Sequence, residues 1–321
     1  MSMNSTVSTT ISLGNHDVQV TPLGVGTWSW GDRLFWDYGK EYDQTQVREA
    51  FQASVEAGVT LFDTAEVYGL GESERLLGNF VRESEGKSAI ATKYFPLPWR
   101  IFGQSVTDAL TESLKRLQMD TISLYQVHTP FTFLMSQKTL MEALAKAVQN
   151  GQIKAVGVSN YSASQMREAH QILQQYDVPL ATNQVPYSLL NRKIESNGIL
   201  ETAQGLGVKI IAYSPLAQGL LTGKYTGQEN PTGARRLDSK FKSSGIHRIA
   251  PVLNRLRELA EAYQKTPAQV ALNWLMMQGT IPIPGAKNAD QAQQNAGALG
   301  WQLAPEDVEK LEQVSQPWLK S

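Results

Sequence analysis

Short runs of β-branched and other apolar residues alternate along this chain with longer segments whose apolar residues recur every three or four positions. The short runs are typical of buried strands, and the longer segments are typical of helices with one apolar face. The first seven of eight such runs begin about 30 residues apart, roughly the length of one strand and its returning helix. The runs are Leu23–Trp28, Thr60–Thr64, Ala89–Lys93, Ile122–His128, Ala155–Ser159, Leu180–Gln184, Lys209–Ser214 and Thr280–Pro284. They predict an α/β fold, a (β/α)₈ TIM barrel that uses residues 1–321 as a single domain.

Capping sequences predict where two of the helices begin. Thr266, Pro267 and Gln269 have the residue types preferred at the N-cap, the first helical position and the third. Ser105 and Asp108 have the spacing of a second capping box, at the start of a stripe of apolar residues. We therefore expect helices to begin after Thr266 and after Ser105.

The segment before the first barrel strand has the pattern of a hairpin. In ISLGNHDVQV, apolar and polar residues alternate on both sides of Gly14 and Asn15, a pair that favours a tight turn. We expect an N-terminal β-hairpin that covers the bottom of the barrel.

One connection is much longer than the others. It follows the seventh strand and contains residues 224–248, which are rich in Gly, Ser and Pro. Long loops in compact domains are usually functional or mobile. The basic residues Lys224, Arg235, Arg236, Lys240, Lys242 and Arg248 outnumber the acidic residues Glu229 and Asp238. Two interpretations stay open: a loop that closes over an anionic cofactor, or a solvated surface segment.

Composition removes several classes of function. Lys and Arg number 29 and Asp and Glu number 30, so no overall charge attracts the chain to nucleic acid or to an anionic membrane. The absence of cysteine excludes disulfides, a thiol nucleophile and cysteine-ligated metals. The polar start MSMNSTVSTT lacks the apolar run of a signal peptide, and no stretch approaches the roughly 18 apolar residues that span a bilayer. We expect a cytoplasmic protein without a nucleic-acid or membrane partner.

Four polar residues follow predicted strands where a barrel places its active site. In such barrels this site lies at the carboxyl ends of the strands, where the chain has Asp63, Tyr68, Lys93 and His128. A tyrosine is a weak acid at neutral pH, and a nearby ammonium lowers its pKa by favouring the phenolate. Asp63 would hold Lys93 in its charged form, and His128 would orient a substrate oxygen. Each residue alone is more often a turn, surface or packing residue, but together they predict a proton donor.

The motifs that carry these residues resemble those of one enzyme family. Three segments are similar to the catalytic segments of the aldo-keto reductase superfamily, in particular to those of its bacterial and plant chloroplast-type members: LFDTAEVYG, ATKY and LYQVHT. KAVGVSNY, ATNQVPYSLL, IAYSPLAQGLLTGKY and IPIPGAKNADQAQQNAGAL are similar to its cofactor segments, in the same order. The resemblance implies an NADPH-dependent oxidoreductase, an aldehyde or carbonyl reductase, that acts on a small-molecule carbonyl substrate with Tyr68 as general acid.

The resemblance also implies a set of contacts to NADPH or NADP⁺. The residues implied are Thr27, Trp28, Ser159, Asn160, Gln184, Tyr213, Ser214, Leu216, Gln218, Gly285, Lys287, Gln291, Gln294 and Asn295. Ser159, Asn160 and Gln184 would bind the nicotinamide carboxamide, and Tyr213 would stack on its ring. Many members carry an arginine for the 2′-phosphate where this chain has Gln291, which leaves Lys287 as the expected phosphate partner.

Aromatic residues after the first and third strands predict an apolar substrate pocket. They are Trp28, Trp30, Tyr94, Phe95 and Trp99. We expect Trp28, Tyr94 and Trp99, together with the catalytic histidine, to contact the substrate. The alternative for each aromatic residue is simple loop packing.

A barrel of this kind can carry three other functions. A metal-dependent hydrolase needs several ligands at strand ends, but His16 lies in the hairpin segment, His170 in a predicted helix and His247 in the long connection, so we expect no metal. A glycosidase needs two carboxylates that flank the scissile bond, and the fourth and seventh strands end without one. The remaining alternative is a cofactor-binding regulatory protein with little turnover, as in the potassium-channel β subunits that resemble this family.

Overall fold

The computed structural model describes residues 10–14, 18–33, 35–84, 87–225 and 239–320. Its strands, in chain order, are β1 (Ile11–Leu13), β2 (Val18–Val20), β3 (Gly24–Gly26), β4 (Leu61–Asp63), β5 (Ala89–Tyr94), β6 (Ile122–Val127), β7 (Ile153–Ser159), β8 (Leu180–Pro186), β9 (Lys209–Tyr213) and β10 (Ile281–Pro282). Strands β3 to β10 form one sheet in which each strand pairs in parallel with the next. The Gly26 amide donates to the Pro284 carbonyl at 3.1 Å, next to a bridge between Gly26 and Gly285, and this contact closes the sheet. The predicted eight-stranded barrel is confirmed.

Strands β1 and β2 form the predicted hairpin. They pair antiparallel, with Leu13 opposite Val18. Both residues pack against the lower ends of the barrel strands, in a cluster that includes Leu61, Leu124 and Ala155. The hairpin therefore covers the amino-terminal end of the barrel, as expected. The turn at residues 15–17 lies outside the described residues.

Helices surround the barrel and bury one apolar face each. They are α1 (Gln44–Glu56), α2 (Glu72–Glu83), α3 (Gly103–Leu117), α4 (Gln137–Gln149), α5 (Ala163–Gln174), α6 (Lys193–Ser196), α7 (Ile199–Leu206), α8 (Ser243–Tyr263), α9 (Pro267–Met277), α10 (Ala289–Ala296) and α11 (Pro305–Val314). Their apolar faces and the outer faces of the strands form the main hydrophobic core. No helix in the described part of the chain is long and apolar enough to cross a membrane.

One predicted helix start is confirmed and one is wrong. Thr266 caps α9, and its side chain accepts from the Gln269 amide while the Gln269 side chain accepts from the Thr266 amide. Helix α3 instead begins at Gly103, so Ser105 is its third residue and does not cap it. Asp108 lies further inside the helix and accepts from the Gln104 side chain at 2.8 Å.

The long connection after β9 is shorter than predicted. Residues 226–238, with Arg235, Arg236, Glu229 and Asp238, lie outside the described residues. From Ser243 the chain is already helical, so His247 and Arg248 belong to α8 and not to a loop. Apolar residues at Ile246, Ile249, Val252 and Leu253 have helical spacing and are buried. The sequence predicted a loop here because the residues before this helix start are rich in Gly and Ser.

Candidate active site

A cavity of about 1050 Å³ opens at the carboxyl ends of the barrel strands. Residues of all eight barrel strands, or of the loops that follow them, contribute to its walls. Its volume is at the upper end of the range for small-molecule and cofactor sites. The site therefore lies where barrel architecture predicts it.

Asp63, Lys93 and Tyr68 form a continuous chain of contacts beside this cavity. Asp63 ends β4 and Lys93 lies on the neighbouring strand β5, so parallel pairing brings their side chains together inside the barrel. The Lys93 Nζ donates to Asp63 Oδ1 at 2.5 Å, to the Thr64 carbonyl at 2.8 Å and to the Tyr68 hydroxyl at 3.4 Å. Asp63 and Lys93 are almost completely buried, and both Asp63 and Tyr68 line the cavity. The Lys93 ammonium thus lies beside the Tyr68 hydroxyl.

Opposing effects act on the Tyr68 hydroxyl. Burial raises the pKa of Tyr68, the positive charge of Lys93 lowers it, and the negative charge of Asp63 raises it. The pKa of Tyr68 therefore lies above its usual value, whereas the sequence predicted only the lowering by Lys93. The difference arises because burial disfavours the phenolate and because Asp63 offsets part of the charge of Lys93. For Lys93, burial acts to lower the pKa, but Asp63 and Tyr68 raise it above its usual value.

His128, which directly follows β6, contacts the Tyr68 ring. Its ring lies edge-on to Tyr68, with 5.7 Å between ring centroids, and edge-on to Phe95 at 5.4 Å. Burial, and then the charge of Lys93, lower the pKa of His128 to about 3. The imidazole is therefore neutral at physiological pH. A neutral ring can donate a hydrogen bond to a substrate oxygen without a change of charge.

Two buried amides donate to the second oxygen of the Asp63 carboxylate. Gln126 Nε2 lies 3.0 Å and Gln184 Nε2 lies 2.8 Å from Asp63 Oδ2. Together with Lys93 they satisfy a charge that would otherwise be costly to bury. Gln184 was predicted at this site, but Gln126 was not. The signal was available, because Gln126 precedes His128 by two residues, and the alternation of a strand places such residues on one face.

All of the predicted cofactor residues except Thr27 line the cavity. The residues that line it are Trp28, Ser159, Asn160, Gln184, Tyr213, Ser214, Leu216, Gln218, Gly285, Lys287, Gln291, Gln294 and Asn295. Thr27 is fully buried, and its hydroxyl donates to the Asp63 carbonyl and shares a hydrogen bond with Ser73 of α2. It therefore ties β3 to α2, and its prediction as a cofactor contact is corrected.

A set of linked polar groups follows β7, β8 and β9. Ser159 Oγ donates to the Gln184 carbonyl at 2.8 Å, and Asn160 Nδ2 donates to Ser159 Oγ at 3.1 Å. The Tyr213 hydroxyl donates to Asn160 Oδ1 at 3.1 Å. These contacts fix the orientation of the Asn160 amide at the cavity wall, where it can recognise a ligand amide.

The loop after β9 has unusual backbone geometry. Ser214, Ala217 and Gln218 have φ values of 51°, 48° and 57°, in the left-handed region that residues other than glycine seldom adopt. Ser214 and Gln218 line the cavity. Strained backbone of this kind clusters at ligand sites, where it directs backbone groups at the ligand. The geometry is therefore typical of a loop that binds a ligand through its backbone.

Lys287 lies just before α10 and is held by the loop after β3. Its Nζ donates to the Trp36 carbonyl at 3.3 Å and lies 4.3 Å from the centre of the Tyr42 ring. Its backbone amide donates to Gln291 Oε1 at 3.0 Å. Lys287 also lines the cavity. The predicted phosphate partner therefore already has contacts within the protein.

The aromatic residues predicted to form the substrate pocket separate into two groups. Trp28 and Phe95 line the cavity. Tyr94 is fully buried on the outer face of β5, because strand alternation turns it away from the barrel interior. Trp30 is also buried, and its Nε1 donates to a backbone carbonyl after β10. Trp99 is 72% exposed and lies outside the cavity, so Tyr94 and Trp99 are corrected as substrate contacts.

An ion pair beside the cavity involves two residues that the sequence did not predict. Glu66 and Arg100 form two hydrogen bonds, of 2.5 and 2.9 Å, and Glu66 also accepts from the Phe95 amide at 2.6 Å. These contacts join the loop after β4 to the loop after β5 and hold Phe95 at the cavity. Residues in loops of irregular structure carry no periodic pattern from which such a pair can be predicted.

A sequence profile of the aldo/keto reductase family matches residues 22–316. This chain belongs to the aldo/keto reductase family. The match includes every strand of the barrel and the predicted catalytic residues Asp63, Tyr68, Lys93 and His128. It confirms the resemblance drawn from the motifs, and this aldo/keto reductase is accordingly an oxidoreductase that acts on a small-molecule carbonyl substrate.

Relatives of this aldo/keto reductase extend over most of its length. It is 39% identical over 316 residues to the chloroplastic pyridoxal reductase of Arabidopsis thaliana, covering 95% of this chain and 86% of that protein. The glycerol dehydrogenase structure from Gluconobacter oxydans is 28% identical, with a TM-score of 0.85 and coverage of 98% and 97% of the two chains. A Klebsiella pneumoniae aldo/keto reductase in complex with NADP and acetate is 28% identical, with a TM-score of 0.75 and 96% of each chain covered.

Proposed function

We propose that this aldo/keto reductase reduces aldehydes and ketones to alcohols with NADPH, and that Tyr68 donates the proton to the carbonyl oxygen. The contact of Lys93 Nζ with both Asp63 and the Tyr68 hydroxyl, beside a ligand-sized cavity, is the observation that carries this proposal. The balance of the reaction is one carbonyl compound, one NADPH and one proton consumed for each alcohol and NADP⁺ produced.

The surroundings of Tyr68 suit a group that must be protonated before the reaction and charged after it. Burial raises the pKa of Tyr68, so the hydroxyl retains its proton at neutral pH. Lys93 then stabilises the phenolate that remains after proton transfer. His128, which is neutral, donates a hydrogen bond to the carbonyl oxygen and orients it towards Tyr68.

The cavity has the residues that a nicotinamide dinucleotide requires. When bound, the cofactor would supply a hydride to the carbonyl carbon, and the Klebsiella relative was solved with NADP. Ser159 and Asn160 would hold the carboxamide, and Gln184 would offer its Oε1 while its Nε2 remains on Asp63. The Tyr213 ring would stack on the nicotinamide. The loop at residues 214–218 would hold the pyrophosphate, and the start of α10 would hold the adenosine end.

Aromatic aldehydes fit the substrate end of the cavity best. Trp28 stacks on Phe35 with 4.9 Å between ring centroids and lies 6.2 Å from the Tyr68 ring. Phe95 completes an apolar wall next to His128. Pyridoxal, the substrate named for the Arabidopsis relative, is an aromatic aldehyde, and it belongs in the substrate panel with 4-nitrobenzaldehyde and a small polar aldehyde.

The test compares the wild-type protein with Tyr68→Phe, in which only the hydroxyl is lost. NADPH oxidation should be measured with each aldehyde, and we expect kcat to fall by at least about 100-fold in the variant. NADPH affinity, followed by cofactor fluorescence, should remain unchanged because the ring still packs. Equal turnover by both proteins would exclude Tyr68 as the acid. Tight NADPH binding without turnover by the wild type would favour a regulatory protein instead.

A further inference from the structure

Three neighbouring strands bring a row of small and polar residues together inside the barrel. Gln126 on β6 pairs with Gly157 on β7, and Gly157 pairs with Thr182 on β8. Gln126 and Thr182 are fully buried. None of the three residues is among the site residues predicted from the sequence, and the proton transfer proposed above does not use them.

Gly157 leaves the space through which its two neighbours meet. The Thr182 hydroxyl reaches across and donates to Gln126 Oε1 at 3.2 Å. A Cβ atom at Gly157 would lie 2.2 Å from Thr182 Oγ1 and 2.9 Å from Gln126 Cγ, closer than real Cβ contacts. Any larger residue at Gly157 would therefore displace the hydrogen bond. Because Oε1 accepts from Thr182, the amide of Gln126 is held with Nε2 towards Asp63, 3.0 Å from Oδ2.

An irregularity in β8 makes this row possible. Val156 pairs with Leu180, but the next residue, Gly157, pairs with Thr182, so Ala181 is an extra residue on β8. Ala181 packs in the lower part of the barrel interior, and the extra residue changes the phase of the alternation after it. Thr182 and Gln184 consequently both face the barrel interior, where Thr182 contacts the Gln126 amide and Gln184 contacts the Asp63 carboxylate. Asn183 faces the surrounding helices.

We propose that Gln126 is a positioning residue for the proton donor: held by Thr182, it fixes the Asp63 carboxylate and thereby holds Lys93 against the Tyr68 hydroxyl. The proposal rests on the proposed function of Tyr68 as the acid. Asp63 uses Oδ1 for Lys93 and Oδ2 for the amides of Gln126 and Gln184. Loss of the Gln126 donor would leave Gln184 as the one amide that donates to Oδ2, so the carboxylate would be held less firmly and the ammonium would be less well fixed at its distance to Tyr68.

The electrostatic surroundings give this role a measurable signature. The titratable groups that face Tyr68 are Asp63, Lys93, His128 and Tyr213, from β4, β5, the end of β6 and β9. The polar N–H groups of Gln126 offset part of the negative charge of Asp63. Their removal makes the potential at Tyr68 more negative, which disfavours the phenolate and moves the ionisation of Tyr68 to higher pH.

The experiment combines substitutions at Gln126 and Thr182 with two measurements. Gln126→Leu removes the donor, and we expect kcat to fall about tenfold and the alkaline limb of the pH profile to move up by about one unit. Gln126→Glu adds a negative charge and should move that limb further, by about one to two units. Thr182→Val should cause a smaller change in the same direction, about threefold in kcat, while Thr182→Ser, which retains the hydroxyl, should stay within about twofold of the wild type.

The control is Asn183→Leu. Asn183 is a buried amide on β8 that donates to the Tyr161 carbonyl at 3.0 Å and does not contact Asp63. Asn183→Leu should lower the free energy of unfolding, as Gln126→Leu should, but it should leave the pH profile of kcat unchanged. A pH profile that shifts equally in Asn183→Leu would overturn the proposal, because the effect would then be a general loosening of the barrel.

The second measurement does not depend on turnover. Phenolate absorbance is titrated in each background with and without Tyr68→Phe, and the difference locates the ionisation of Tyr68. An unchanged Tyr68 titration in Gln126→Leu and in Thr182→Val, both folded by circular dichroism, would refute the role of Gln126. A shifted titration in a protein with no carbonyl turnover would support the positioning role and refute the proposed reaction. The two failures are therefore distinguishable.

Discussion

The barrel interior has two layers built from the same strands and from opposite kinds of side chain. The lower layer includes Leu61, Ala91, Leu124, Ala155, Ile211 and Ile281, with the hairpin residues Leu13 and Val18. The upper layer consists of Asp63, Lys93, Gln126, Thr182 and Gln184. On β4, β5 and β6, a step of only two residues separates an apolar member of the lower layer from a polar member of the upper one.

The difference shows how one scaffold separates stability from chemistry. Burial of the lower layer is favourable by itself, since apolar area is removed from water. Burial of the upper layer is costly unless each charge and amide finds a partner, and a buried ion pair is often no more stable than an apolar replacement. Folding alone therefore gives no reason for the upper layer, whereas the proposed reaction does. Substitutions in the two layers should separate these roles.

The largest effect should come from removal of the buried cation. Lys93→Met leaves the Asp63 carboxylate without its positive partner, which we expect to lower the unfolding free energy by about 3 to 5 kcal/mol. It should also lower kcat by at least about 100-fold, because the phenolate of Tyr68 loses its stabilising charge. Urea unfolding and NADPH oxidation measure the two effects.

A double substitution distinguishes the two contributions. Asp63→Asn combined with Lys93→Met removes both charges, and it should recover most of the lost stability but none of the lost activity. If the double variant were no more stable than Lys93→Met, an uncompensated carboxylate would not be the cause of the destabilisation.

In the lower layer the expected effects are reversed. Leu124 lies on β6 two residues before Gln126 and is fully buried against the hairpin cluster. Leu124→Ala should lower the unfolding free energy by about 2 to 5 kcal/mol through the lost contacts and the cavity left behind. Below the unfolding transition, kcat should stay within about twofold of the wild type, since the Leu124 side chain can make no hydrogen bond to Asp63, Lys93 or Tyr68. A loss of kcat comparable to that of the Gln126 variants would show that the two layers are coupled.

The same comparison explains what the sequence could predict. The strands of the lower layer are continuous apolar runs, and their number and spacing are enough to predict the barrel. Asp63, Lys93 and His128 were predicted because an ionisable residue at the end of an apolar run is conspicuous. Gln126 was missed because it is uncharged and lies within a run, and Thr182 was missed because the extra residue in β8 interrupts the alternation that would have placed it.

Errors at the cavity have a similar local cause. Tyr94 follows Lys93 directly and was assigned to the same site, although consecutive strand residues face opposite sides. Trp99 lies in an irregular loop whose course has no periodic signal, and the structure leaves it exposed. Thr27 was carried over with Trp28, but its hydroxyl is used within the protein by Asp63 and Ser73.

A moderate effect should appear in the pH dependence of stability. The pKa of His128 is lowered to about 3 by burial and by Lys93, whereas an unfolded histidine titrates near 6.5. The folded protein therefore binds this proton less readily, so its stability is complete above about pH 6.5 and falls as the pH decreases towards 3. Between pH 7 and pH 4.5 the wild type should lose about 2 kcal/mol more than His128→Gln, which lacks the titrating ring. Urea unfolding at both pH values measures this difference, and parallel losses in the two proteins would contradict the lowered pKa.

The smallest effect concerns the choice between NADPH and NADH at the rim of the cavity. An ammonium next to the 2′-phosphate gains a charge-assisted hydrogen bond that NADH cannot provide. In this structure Lys287 Nζ already donates to the Trp36 carbonyl and lies over the Tyr42 ring, so part of its hydrogen-bonding capacity is occupied. We therefore expect a contribution of only about tenfold, about 1.4 kcal/mol, at the weak end for a hydrogen bond to a charged group. The test compares kcat/KM for NADPH and NADH in the wild type and in Lys287→Ala at low and high salt, with Gln293→Ala, on α10 but outside the cavity lining, as an uncharged control. Because the contact is partly exposed, added salt should reduce the wild-type preference for NADPH but change that of Lys287→Ala less.

Equal use of both cofactors by the wild type would contradict the NADPH assignment. An unchanged preference in Lys287→Ala would instead assign the phosphate contact to other basic residues, with Arg235 and Arg236 the next to substitute.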